Sequence, residues 1–140
     1  MTTKEYLMQI EKWDKIINNR LNDISELRDK ADGVSSVPYD KDRVVTSGTK
    51  SKIEDIVTKI IDLERQVNIY IDMRQKIISQ LEELNYDEYN VLYMRYVNCL
   101  AFPVICHRLN REDAWSESRM FKAHKCGLMD FESKFGKQYL

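Results

Sequence analysis

The chain has 140 residues, of which 43% are hydrophobic and 32% charged, with four glycines, two prolines and a net charge of −1. That length suits one domain or two small ones, and the balance argues against a disordered chain and for a soluble, mostly helical protein. The charge excludes a broadly basic, nucleic-acid-coating chain, although residues 1–99 carry 15 Lys/Arg against 18 Asp/Glu while residues 100–140 carry 7 against 5, so the excess of positive charge lies at the C-terminal end.

No apolar run approaches the roughly 20 residues that cross a bilayer, and Met1-Thr2-Thr3-Lys4-Glu5-Tyr6 has no apolar signal core. A cytoplasmic protein with no membrane partner is expected. The three cysteines, Cys99, Cys106 and Cys126, are odd in number and form no Cys-x-x-Cys, which argues against a disulfide framework. Cys106-His107 with His124 and Cys126 lacks the usual zinc-ligand spacing, so Cys106 and Cys126 read as small core residues and neither a metal nor a cofactor is expected.

Residues 3–31 read as a long helix. Ile10, Ile17, Ile24 and Ala31 recur at seven, Tyr6, Trp13 and Leu27 fill the complementary heptad positions, and only Arg20 interrupts them. Asp32 to Pro38 and Ser47 to Ser51 read as stop signals bounding a mobile or draped loop over 32–51. Gly48-Thr49-Lys50-Ser51 ends like a phosphate loop but lacks the preceding strand and first glycine. Residues 51–84 read as a second long helix with Ser51 and Glu54 as a capping box. Ile53, Ile60, Val67, Arg74 and Leu81, with Ile56, Leu63, Tyr70, Ile77 and Leu84, repeat at seven along it. The two helices can pair antiparallel in a coiled-coil-like hairpin. The second carries more heptad positions than the first can cover, so part of its stripe should face the C-terminal region or another subunit.

Asp87 is expected to cap a third helix over 87–98, with Tyr89, Leu92, Tyr93 and Tyr96 on its apolar side. Leu100 to Asn110 reads as a fourth helix with Pro103 in its first turn. Arg111 to Trp115 is the expected turn, and Ser116 the N-cap of a fifth helix to about Cys126 or beyond, with Phe121, Leu128, Phe131 and Phe135 near one face. The expected fold is all-α: a long antiparallel helical hairpin over 1–84, then a helix-turn-helix bundle over 85–140.

A helix-turn-helix presents one helix to DNA or to a partner. On the fifth helix Ser116, Ser118 and Arg119 are the candidate base readers, Lys122 and Lys125 the candidate phosphate contacts, and Arg108 and Arg111 flank them. Glu112, Asp113 and Glu117 favour the helix dipole but repel phosphates. Arg95 is expected to pair with a carboxylate of the hairpin. Trp115 is either a core plug seating the turn or a partner-binding anchor. Trp13 is expected to pack in the hairpin. A Cys106–His124 nucleophile pair lacks an orienting group, and the chain reads as a non-enzyme.

The Arg95-Tyr96 pair, Ile105-Cys106 with Leu109, and the segment through His124 resemble small phage and prophage transcription regulators of low-GC Gram-positive bacteria, of the ArpU and RinA type. Ser47-Gly48 and Lys59-Ile60-Ile61-Asp62-Leu63-Glu64-Arg65 extend the resemblance over most of the chain. Such proteins carry a C-terminal helix-turn-helix similar to region 4 of bacterial sigma factors. The resemblance implies a phage-encoded regulator in a bacterial host cell that binds double-stranded promoter DNA, with RNA polymerase and a homodimer through the hairpin as further partners. Here the turn Arg111–Trp115 is longer than in the group, and it brings Glu112 and Asp113 beside the recognition helix. The alternative is a protein-interaction module, such as a phage inhibitor of a host protein, that does not bind DNA.

Overall fold

The computed structural model describes residues 1–35 and 47–140, and among these residues there is no strand. In chain order they form α1 (Thr3–Ser35), α2 (Ser47–Leu81), α3 (Tyr86–Leu92), a π-helical turn (Tyr93–Val97), α4 (Phe102–Asp113), α5 (Glu117–Phe135) and a 3₁₀ turn (Gly136–Gln138). The all-α expectation therefore holds.

The helix ends differ from the sequence reading in instructive ways. A reciprocal capping box opens α1: Glu5 N donates to Thr2 Oγ1 (3.2 Å) and Thr2 N donates to Glu5 Oε2 (3.1 Å). At its other end α1 runs on through Asp32 and Gly33 to Ser35. Likewise α2 begins at Ser47, so Ser51 lies one turn inside it and does not cap it. The expected loop over 32–51 thus shrinks from both sides, and its middle lies outside the described residues. Glycine and serine cost a helix only about 1 kcal/mol or less, which neighbouring turns outweigh.

Contacts divide the chain into two compact units, one of residues 14–71 and one of residues 1–13 with 72–140. The expected division at 84/85 falls inside the second of these. The reason lies in the packing: the N-terminal turns of α1 and the C-terminal turns of α2 deliver their apolar residues to the same core as α3 and α5.

In the 14–71 unit, Ile24 and Val67 are buried. Arg20 Nε donates to Gln66 Oε1 (2.9 Å), and Arg28 Nη2 donates to Glu64 Oε1 (2.8 Å). These two bonds link α1 to α2 within this unit. Ile17, Leu27, Ile53, Ile56, Ile60, Leu63 and Tyr70 are half-buried. Leu21, Val57, Ile61, Ile69 and Ile71 stay about half exposed.

The other unit holds two clusters of buried side chains. The larger joins Tyr6, Leu7 and Ile10 of α1 to Ile77, Ile78 and Leu81 of α2, then to Leu84, Leu92, Tyr96, Val97 and Phe131, with Trp13 packed at its margin. The excess of heptad positions on α2 is explained here, because its last turns face the C-terminal helices. Each large apolar side chain buried in this way contributes about 1.5–3 kcal/mol relative to exposure. The second cluster is Val91, Ile105, Leu109, Trp115, Met120 and Ala123, and it fixes α4 against α5.

Polar contacts tie down both ends of the chain. Tyr6 stacks on Tyr139 with ring centroids 4.2 Å apart. Tyr6 Oη donates to Gln80 Oε1 (2.8 Å), and Gln80 Nε2 donates to Gln138 Oε1 (2.8 Å). Thr3 Oγ1 and Tyr139 Oη lie 2.9 Å apart.

Candidate nucleic-acid interface

The surface that the sequence singles out is built on α4 and α5. Ala101, in extended conformation, precedes α4, and Pro103 sits in the first turn, where a missing N–H costs little. The helix continues past Asn110 to Asp113 and ends at Ala114, whose φ of 56° and ψ of 35° are left-handed. Ala114 N donates to Asn110 O (3.0 Å), which closes the helix end.

The connection is therefore Ala114–Ser116, three residues instead of the five expected over Arg111–Trp115. Arg111, Glu112 and Asp113 belong to the last turn of α4. An alanine in the left-handed conformation carries no compositional stop signal, since glycine or asparagine usually holds that place. That is why sequence reading ended the helix too early.

Ser116 is the N-cap of α5, as expected, and its Oγ accepts from Arg119 N (3.1 Å). Its hydroxyl is thereby engaged within the protein. Trp115 is only 2% exposed and belongs to the core cluster of α4 and α5. Asn110 Nδ2 donates to Trp115 O (3.0 Å), which holds the turn against the helix. Burial removes Trp115 from any surface a partner would meet, so of its two expected roles the core plug fits and the partner anchor does not.

Arg119 departs from its expected role as well. Its Nε donates to Asp87 Oδ2 and its Nη2 to Asp87 Oδ1, both at 3.1 Å, and its guanidinium lies 4.0 Å over the Trp115 ring. A two-pronged pair with a carboxylate and a stacked indole spends both the charge and the planar face of this arginine. Arg119 ties α5 to α3 through this pair, while its side chain stays about half exposed. Asp87, expected as the α3 cap, is its partner instead. The cap is Asn85, whose Oδ1 accepts from Glu88 N (2.9 Å).

Apart from Trp115, every candidate residue is exposed. Ser118, Lys122 and Lys125 follow one another at four and three residues along α5 and so share a face. Arg108 and Arg111 do the same on α4, with Glu112 beside them. The opposite face of α5 is sealed by Met120, Ala123, His124, Gly127 and Phe131. Phe121 is exposed and packs against Phe102, with ring centroids 5.5 Å apart.

Arg95 and His124 were carried by the resemblance and lie behind this surface. Arg95 Nη1 donates to Leu100 O (3.0 Å), and its guanidinium lies 4.4 Å from the Phe102 ring centroid. These are its contacts with the segment leading into α4, where a hairpin carboxylate was expected. His124 is buried, with Nε2 2.9 Å from Tyr96 Oη and its ring edge-on to Phe102 at 4.9 Å. Burial, reinforced by the positive charges of Lys4 and Arg95, pushes the imidazole down to about 4, so it is neutral at physiological pH.

Cys106 packs at the edge of the second core cluster, while Cys99 is exposed. Among the described residues no group of three or more His, Cys, Asp or Glu side chains is placed to hold a metal ion, and no helix is long and apolar enough to cross a membrane. No family model, curated protein or solved structure matches the chain.

Proposed function

We propose that the chain is a phage-encoded transcription regulator that binds promoter DNA, with α4, the three-residue turn and α5 acting as a helix-turn-helix and α5 as its recognition helix. One observation carries this reading. The turn Ala114–Ser116 is compact, and it leaves Ser118, Lys122 and Lys125 on one open face of α5 while the other face is packed. Lys122 and Lys125 supply phosphate contacts, Ser118 reaches base edges, and Arg108 and Arg111 extend the positive edge along α4. Arg119 acts indirectly by holding α5 to α3. The resemblance carried by Arg95-Tyr96, Ile105-Cys106, Leu109 and His124 supports the same reading and suggests RNA polymerase as a partner. The half-exposed Leu21, Val57, Ile61, Ile69 and Ile71 support a homodimer formed along α1 and α2.

The test is fluorescence anisotropy with duplex DNA from the neighbouring genome at two salt concentrations. The expected result is binding that weakens as salt rises. A Lys122→Ala/Lys125→Ala double variant, which spares every buried contact, should lose about tenfold or more in affinity while keeping its circular dichroism spectrum. Absence of binding at micromolar protein, or undiminished binding by the double variant, overturns the reading.

A second reading is favoured by a groove of about 440 Å³ lined by Phe102, Pro103, Cys106, Met120 and Phe121, with Glu117 at its margin. A largely apolar lining that also holds the acidic Glu117, with His107 and Asn110, suits a protein partner better than a phosphate backbone. On that reading the chain is an interaction module or an inhibitor of a host protein, and Phe121→Ala weakens the complex while the lysine substitutions do not.

A further inference from the structure

A separate cavity of about 320 Å³ opens between the start of α1, the π-helical turn and α5, bounded among others by Lys4, Glu11, Arg95, Tyr96, Cys99 and His124. Its size is that of a small-molecule site. Its walls come from parts of the chain more than 80 residues apart, so no single local feature of the fold accounts for it.

The backbone along one wall is irregular. Asn98 N donates to Tyr93 O (3.0 Å) and Leu100 N to Met94 O (3.0 Å), so the helix widens before it ends, and Cys99 then takes a φ of 56°. Single π-helical turns and left-handed non-glycine residues concentrate at binding sites, because both cost stability that packing alone does not require. Here the widened turn aims Arg95 at the cavity, with its guanidinium steadied by the Leu100 carbonyl and the Phe102 ring.

The charge within the cavity is uneven. Two cations, Lys4 and Arg95, face one carboxylate, Glu11, and both cations act on the buried His124 ring strongly enough to help hold it neutral. One guanidinium N–H is committed to Leu100 O, and a guanidinium has five. Cationic donors already oriented in a recess beside a desolvated imidazole are complementary to negative charge.

We propose that this cavity binds a small organic anion carrying a phosphate or carboxylate group, with Lys4 and Arg95 as its charge partners and Tyr96 and His124 as the floor against which it packs. The inference is independent of DNA binding by α5, and it stands or falls without DNA present.

The test uses the full chain and its two histidines. His107 is exposed on α4 and His124 lines the cavity, so ring proton–carbon correlation spectra report the site and a control in one sample. Inorganic phosphate, then phenyl phosphate, is titrated at constant ionic strength against chloride. The expected result is a saturable shift of the His124 signals at millimolar probe or below, larger affinity for phenyl phosphate, and a rise in the His124 pKa when the site is filled. Lys4→Gln, at an exposed position, should weaken binding about fivefold or more. Arg95→Gln should weaken it further, and Lys4→Gln keeps the test decisive if that variant fails to fold. A shift that grows linearly without saturation, equal responses of His107 and His124, or unchanged affinity in Lys4→Gln overturns the proposal. Displacement of phenyl phosphate by duplex DNA also overturns it, since the oxyanion would then be the DNA backbone and not a small ligand.

Discussion

Glu88 is 5% exposed on α3, where it faces Asp130 and Lys134 of α5 and sits over its own cap residue Asn85. Burial first, and then the hydrogen bond and negative charge of Asp130, push its carboxyl up to about 7. In the unfolded chain it titrates at its ordinary value near 4.5. The folded state therefore holds the proton more tightly. This contribution to stability is complete below pH 4.5 and is lost as pH rises through 7. His124 works with the opposite slope. Its folded value of about 4 lies below the ordinary 6.5, so its contribution is complete above pH 6.5 and is lost as pH falls through 4. Glu88→Gln keeps a donor for Asp130 without a charge. It should stabilise the protein at pH 8 by on the order of 1–3 kcal/mol and change little at pH 4. Urea denaturation across that range checks this, and equal effects at both ends would show that Glu88 is not charged against its will. Neither feature was legible in the sequence, where nothing sets Glu88 apart from its neighbour Asp87 and His124 entered only as part of a family pattern. Burial is a property of the partners and not of the residue.

At the scale of the helices, α3 and α5 pack closely at Gly127. A Cβ placed there would lie 3.0 Å from Leu92 Cδ1 and 3.2 Å from Glu88 Cβ. Leu92 is fully buried, and the Glu88 contact is at Cβ, next to the backbone, so neither can swing aside cheaply. Alanine would gain about 1 kcal/mol in helix propensity, but the overlap should cost more. Gly127→Ala is expected to destabilise by about 1–2 kcal/mol, read as a lower denaturation midpoint at unchanged slope. A raised midpoint would mean that α3 yields. Helix existence was readable from periodicity because Ile10, Ile24, Val67, Ile77 and Leu81 do point inward. Helix ends were less so. Asn85 and Ala114 decide two of them, yet Asp87 is an equally good cap by composition, and Ala114 is no stop signal at all. The face of α5 was legible only in part: Phe131 is buried and Leu128 and Phe135 half-buried, whereas Phe121, expected beside them, is exposed, and Met120 and Ala123 face the core instead. The engagement of Arg119 with Asp87 across 32 positions was not.

For the molecule as a whole, burial is distributed unequally between the two units. The described helical residues of the 14–71 unit rest on Ile24, Val67 and partly covered neighbours, whereas the other unit seals two clusters. Backbone amides open locally where few apolar contacts resist opening. Hydrogen exchange at low protein concentration should therefore be about tenfold or more faster in α1 beyond Asp14 and in α2 before Ile71 than around Leu92 and Phe131. Equal protection would show that the 14–71 helices are covered by something further. The sequence divided the chain at 84/85 because the long helices looked like one module. The pattern of heptads cannot say where a helix changes partners, and both α1 and α2 do so partway along.

The stacking of Tyr6 on Tyr139 and the packing of Leu7 and Ile10 in the cluster with Phe131 also bear on the order of events during synthesis. The first turn of α1 is made well before its core partners on α5. At about 5–20 residues per second, some 120 residues separate the two by roughly 6–24 s on the ribosome. During that interval Leu7, Ile10, Ile77 and Leu81 have each other but not the side chains that complete their enclosure. The closing of this core joins segments about 120 residues apart, with a loop entropy that grows only logarithmically with that separation. A nascent chain arrested before α5 would therefore expose apolar residues on the first turns of α1 and the last turns of α2, and would be a substrate for chaperones until α5 is released.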